Sequence, residues 1–172
     1  KSRLSAVTLL IEALNCPEGS AVMYVAPTQG QARQIIWDAI MDLGRDVISN
    51  SHVNNMDITL INGAKIYVRG SDRPDTLRGV SLTYLVLDEV ADIKADTWEK
   101  VLRASLSDKK GRALFIGTPK GNNHFKELFD RASKELGWAA LQFKASETKL
   151  IDEAELWAAR KEMGEDKYNQ EF

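Results

Sequence analysis

"YLVLDEVADI", residues 84–93, runs an apolar segment straight into Asp88 and Glu89. A short, near-continuous apolar run predicts a strand buried on both faces, the kind found in parallel sheets covered by helices. In such sheets ligands bind outside the carboxyl ends of the strands. Adjacent carboxylates repel unless a cation, hydrogen bonds or solvent compensates them, so Asp88 and Glu89 stand where a cation and a water could be handled. Read alone, the pair has a second explanation: acids capping the next helix, where the helix dipole favours them.

Outward from that strand, the pattern alternates. Upstream, "SRLSAVTLLIEAL" (2–14) spaces Leu4, Val7, Leu10, Ile11 and Leu14 as a helix, which "NCPEG" breaks. "AVMYVAPT" (21–28) reads as a strand and "QGQARQIIWDAIMDLG" (29–44) as a helix. "DITLINGAKIYVRG" (57–70) predicts a β-hairpin about Asn62-Gly63, a dipeptide suited to a type I′ turn. After the polar loop "SDRPDTLRGVSL" (71–82) come strand "TYLVLDE" (83–89), helix "ADTWEKVLRASLS" (95–107) and strand "RALFIGTP" (112–119). Helix "NNHFKELFDRASKEL" (122–136), strand "WAALQFKA" (138–145) and helix "DEAELWAARKEMG" (152–164) follow. Strands alternating with helices predict an α/β fold, a mostly parallel sheet with helices on both faces and an inserted β-hairpin.

The chain of 172 residues suffices for one core, and its 44% hydrophobic and 28% charged content is that of a folded globular protein. The single cysteine, Cys16, excludes an internal disulfide and a cysteine zinc site, and fits a reducing compartment. No apolar stretch approaches the ~20 residues that cross a bilayer, so no membrane role is expected. With a formal net charge of -2, any nucleic-acid contact must come from local basic groups such as Lys109, Lys110, Arg112 and Lys120. A solvated loop explains the first three equally simply. Trp37, Trp98, Trp138 and Trp157 sit among apolar residues and are expected in the core, while His52 and His124 are expected at the surface.

Further motifs bear on the acids. "KS", Lys1-Ser2, opens a helix that leads to a strand and then to "DE", the place where "GxxxxGK[ST]" would end if cut before its lysine. In that setting Lys1 neutralises phosphate charge and Ser2 ligates Mg²⁺, with Asp88 as the magnesium acid and Glu89 as the group that deprotonates water. The strand and glycine-rich loop that would cradle the phosphates do not precede Lys1 in this sequence, so a truncated phosphate site is expected. In "FIGTPKG" (115–121) a strand ends in Gly117, Thr118 and Pro119, where the Thr118 hydroxyl could sense a γ-phosphate; an ordinary strand exit is the alternative. Thr28 and Gln29, at the end of another strand, serve either a turn or the coupling of nucleotide to DNA.

With "KS", "YVAPTQGQARQIIWDAI", "INGAKIYVRGSDRPDTLRGVSLTYLVLDE", "FIGTPKG" and "YNQEF" in this order, the chain resembles the ATPase domain of the large terminase subunit of tailed phages. The resemblance implies a P-loop NTPase core over 1–150 and a lid or linker helix over 151–172 leading toward a nuclease domain. It implies ATP and Mg²⁺ as ligands: Lys1, Ser2 and Thr118 bind nucleotide, Ser2 and Asp88 hold the metal, and Glu89 is catalytic. Arg78 matches an arginine that some members present to a neighbouring subunit, with Arg73 and Arg69 as weaker candidates; an ion pair with Asp72 or Asp75 is its structural alternative. The implied partners are double-stranded viral DNA, the portal protein, the small terminase subunit and further copies in a ring. The implied location is the host bacterial cytoplasm, at the procapsid portal. Two other readings stay open, a helicase-like P-loop ATPase and a catalytically silent interaction module.

Overall fold

The computed structural model of the chain describes residues 1–148 and 151–171. Helix α1 spans Ser2–Asn15; six strands follow, β1 (Ala21–Ala26), β2 (Ile48–His52), β3 (Asp57–Leu60), β4 (Lys65–Gly70), β5 (Leu82–Asp88) and β6 (Arg112–Ile116). They form one sheet in the order β2-β3-β4-β1-β5-β6. β1 runs parallel to β4 and β5, and β5 parallel to β6, whereas β2, β3 and β4 pair antiparallel. Parallel pairing brings the last residues of four strands, Ala26, Gly70, Asp88 and Ile116, to one edge of the sheet.

Side chains alternate across the strands, and each face has its own cover. On one face Val22, Tyr24, Ile66, Val68, Tyr84 and Val86 join Ala6, Leu9, Leu10 and Ala13 of α1 and Ile36, Trp37 and Ile40 of the next helix in a single core cluster. On the other face lie the fully buried Met23, Val25, Leu85 and Leu87. Phe115, paired with Leu87, meets Trp98 there edge-to-face at 4.7 Å, so the helix carrying Trp98 covers this side. Each fully buried Leu or Ile contributes about 2 kcal/mol of apolar transfer, which is why the central strands tolerate no polar residue without a partner.

Two helices contain π turns that heptad-like spacing cannot reveal. The helix over 29–43 is interrupted at Arg33–Trp37, and the one over 97–105 is π-helical over Thr97–Leu102. The chain divides into two compact units, Lys1–Gly117 with the whole sheet and Thr118–Phe172. The second unit holds helices His124–Ala132, Ala145–Thr148, Glu153–Met163 and Glu165–Glu171. The boundary expected at 150/151 falls on Leu150, outside the described residues.

Four expectations need correcting. The stretch 138–145 is not a strand: residues 138–144 are irregular, Leu141 and Phe143 are largely exposed, and a β-prone run without a partner edge gains no ladder. β2 has no counterpart among the expected strands, because "ISNSH" lacks alternation and becomes a strand only by pairing with β3. The hairpin forms, but not through a type I′ turn. Asn62 keeps a negative φ and only Gly63 is left-handed, at φ +78°, while the Gly63 N–H donates to Leu60 O and the Leu60 N–H to Ala64 O. This is a three-residue loop closed by a glycine, which frees the Asn62 side chain to donate to Ala13 O and Leu14 O at the carboxyl end of α1. Trp157 is 67% exposed with Lys161 over its ring, rather than in the core.

Candidate functional site

The edge where the parallel strands end is built first by β5. Asp88 is its last residue and points to the same face as Val86 and Tyr84, the face that α1 covers. It is only 2% exposed. Its Oδ2 accepts the Tyr24 hydroxyl at 2.8 Å and its Oδ1 accepts the Glu89 N–H at 2.9 Å. Burial pushes the Asp88 carboxyl above its usual range; the Tyr24 and Glu89 hydrogen bonds pull it back, the Glu89 charge raises it further and Lys1 lowers it. The Tyr24 phenol is pushed up as well, first by burial and then by the charge of Asp88.

Glu89 follows in the left-handed region, at φ 51° and ψ 48°. A non-glycine residue there costs of order 1 kcal/mol or more and persists only when its surroundings over-determine it. Here the Glu89 amide is held by Asp88, its carbonyl accepts the Asp92 N–H at 2.9 Å in a 3-10 turn, and the next residue, Val90, is buried. The turn sends the Glu89 side chain toward the start of α1, where Lys1 Nζ meets Glu89 Oε1 at 2.9 Å. Lys1 is the N-cap residue of α1 and Ser2 begins its first turn. Lys1, remote in sequence from the adjacent Asp88 and Glu89, therefore shares one locus with them, and Ser2 follows it in the first turn of α1.

The neighbouring strand ends are stitched together. Gly70 closes β4 so near the β1 exit that a Cβ on it would lie 2.1 Å from Gln29 N and 2.5 Å from the Thr28 carbonyl carbon. Gln29 fills that contact: its Oε1 accepts the Gly70 N–H at 2.7 Å, its Nε2 donates to Val68 O at 3.2 Å, and its own N–H donates to Asp72 Oδ1 at 3.0 Å. Thr28 caps the following helix by accepting the Gln31 N–H. Of the two sequence readings of these residues, a turn role is the one their hydrogen bonds occupy.

From this stitch the chain runs through the 3-10 turn Pro74–Leu77 to Arg78. Leu77 is fully buried, Arg78 is exposed, and Gly79 turns the chain at φ +76°. Among the described residues Arg78 makes no ion pair with Asp72 or Asp75, so that structural explanation of it does not hold. Arg69 is engaged, paired with Asp57 at 2.5 Å, donating to Asn55 O and lying over the Tyr67 ring. Arg112 is tied to Glu12 at 2.6 Å. Thr118 opens the second unit, just past the β6 residue Ile116 that pairs with Asp88. Tyr24 escaped the sequence reading; a single phenol in the otherwise apolar "AVMYVA" was the available signal.

Among the described residues no group of three or more His, Cys, Asp or Glu could hold a metal unaided. One buried carboxylate, Asp88, is instead the start of a sparse donor set of the kind suited to Mg²⁺, which keeps waters and takes further ligands from phosphates.

The six-stranded, mostly parallel sheet with helices on both faces defines an α/β domain. The chain matches the family model "Terminase large subunit, T4likevirus-type, N-terminal" over residues 1–170, and it belongs to that family. It is 46% identical over 61 residues to the large terminase subunit of Thermus phage G20c, covering 36% of this chain and 13% of that protein. With the large terminase subunit of Escherichia phage T5 it shares 26% identity over 158 residues, 88% of this chain and 36% of the phage protein, so it spans about a third of that relative's length. In structure it resembles the ATPase domain of the Thermus phage P74-26 large terminase, with a TM-score of 0.82 at 23% identity over 99% of this chain and 82% of that one. The large terminase of another thermophilic bacteriophage, solved in complex with ATP-gamma-S, gives a TM-score of 0.80 at 15% identity, over 98% of this chain and 42% of that one.

Proposed function

We propose that the chain is the ATP-hydrolysing motor domain of a viral DNA-packaging translocase. The observation that carries this reading is the meeting of Lys1 with Glu89 beside the buried Asp88, at the strand edge where α/β domains bind ligands. Large terminases solved with ADP and with ATP-gamma-S support nucleotide as the ligand.

In this reading the Lys1 ammonium neutralises β- and γ-phosphate charge, and the Ser2 hydroxyl and Asp88 carboxylate hold Mg²⁺. Bound there, Mg²⁺ supplies charge neutralisation to the phosphates. The Glu89 carboxylate orients the attacking water and takes its proton. Because Lys1 is paired with Glu89 in this structure, an incoming polyphosphate competes for the ammonium and leaves Glu89 free to act as base. Thr118 contacts the γ-phosphate, and Arg78, held on an anchored loop with its guanidinium outward, serves the nucleotide of an adjacent subunit in a ring. Double-stranded viral DNA is the track, with the portal protein and small terminase subunit as partners, in the host bacterial cytoplasm at the procapsid portal. Residues 151–172 act as the lid or linker.

The test is DNA-stimulated ATP turnover by the full-length protein. Turnover that depends on Mg²⁺ and collapses in Glu89→Ala is expected. Unchanged turnover in that variant would remove Glu89 as the base.

A further inference from the structure

We propose that Tyr24 is a positioning residue for magnesium, acting through Asp88; this role rests on the reading of Asp88 as the Mg²⁺ acid. Tyr24 is the one polar side chain in β1, a strand buried along its whole length, and it is 0% exposed. Phenylalanine would fill the same volume in the core. The hydroxyl adds only a desolvation cost unless it finds a partner, and the partner it has is Asp88 Oδ2 at 2.8 Å.

The pairing is specific in register. Tyr24 lies opposite Val86, two residues short of Asp88 on the same face, so the long side chain reaches along the sheet to the strand end. The second oxygen of Asp88 is taken by the Glu89 N–H at 2.9 Å. Each carboxylate oxygen thus has one donor, one from the neighbouring strand and one from the turn that follows β5. Rotating the carboxylate breaks both bonds, so its plane is fixed while each oxygen keeps a further lone pair for a metal or a metal-bound water. Partners of this outer kind set ligand orientation, and their loss commonly costs 10- to 100-fold in metal affinity. Removing the hydroxyl would leave Asp88 with a single restraint and free to turn.

The experiment measures binding of a fluorescent ADP analogue to the full-length protein, titrated with Mg²⁺ and in its absence, alongside thermal stability. Wild type, Tyr24→Phe, Asp88→Asn and the double variant are compared. Tyr24→Phe is expected to raise the Mg²⁺ concentration for half-maximal binding by about 10-fold and to leave Mg²⁺-free binding at the wild-type level. The double variant is expected to behave as Asp88→Asn alone, because both changes act through one carboxylate. A Tyr24→Phe protein with an altered melting temperature and a wild-type Mg²⁺ midpoint would overturn the proposal, reducing the phenol to a link between strands. A double variant clearly weaker than Asp88→Asn would also overturn it. If Asp88→Asn itself leaves the midpoint unmoved, the underlying assignment of the Mg²⁺ acid fails, a result distinct from either of these.

Discussion

The end of β5 and the loop bearing Arg78 treat their charged groups in opposite ways. At the strand end Asp88 is buried with both carboxylate oxygens bonded, and Glu89 is locked in a left-handed turn against Lys1. On the loop, restraint falls on the neighbours: Gly70, Gln29 and Asp72 stitch its start, Leu77 is sunk in the core, and the Arg78 guanidinium is left outward. In the proposed function this difference fits the two roles: groups that would serve a ligand of their own subunit are held by their own subunit, and a group that would serve a neighbour has an anchored base and a free tip.

That contrast can be broken by substitution. The largest effect is expected at the strand end, where Glu89→Ala should lower DNA-stimulated ATP turnover of the full-length protein about 10³-fold, the scale of losing a positioned base. Arg78→Ala should lower it about 10²-fold in the assembled state, the scale of losing one donor to developing charge. Mixed with wild type, Arg78→Ala subunits should depress hydrolysis below the proportional average; a strictly proportional response would show that Arg78 does not act across subunits. Gly70→Ala tests the anchor: the added carbon collides with backbone at Gln29 and Thr28, and urea denaturation should show a loss of about 2 kcal/mol.

The smallest effect sharpens the cost of burying Asp88. Its carboxyl is raised above the usual value on folding, so the folded state binds the proton more tightly than the unfolded one. The resulting stabilisation is full below the ordinary carboxylate pKa and is lost as pH rises through the raised value. Asp88→Asn should therefore melt higher than wild type at neutral pH, with the gap closing as pH falls below the ordinary range. A gap independent of pH would remove the titration of Asp88 as its cause.

How far this could be read from the sequence depends on whether the signal was local. β1 and β5 were legible because their apolar runs are continuous, and the acids because the break from Leu87 to Asp88 is abrupt. The hairpin was legible, but its turn was not, since the Asn62 side chain is recruited by carbonyls of α1, residues remote in sequence. The stretch 138–145 carried strand-like residues without an edge to join. The π turns add a residue per turn without altering composition, and periodicity smooths them over. The meeting of Lys1 with Glu89 followed from motif order, whereas the Tyr24–Asp88 bond depends on the register of β1 against β5, which no spacing within either strand reveals.

β2, the strand that periodicity missed, also decides how this end of the sheet meets solvent. It is five residues long, polar in "SNSH", and shifted in register against β3 between Ile48 and Asn50. A short, polar, irregular edge is a poor template for pairing with a second chain. The same weak patterning that hid β2 from a sequence reader blunts this side of the sheet against edge-to-edge aggregation.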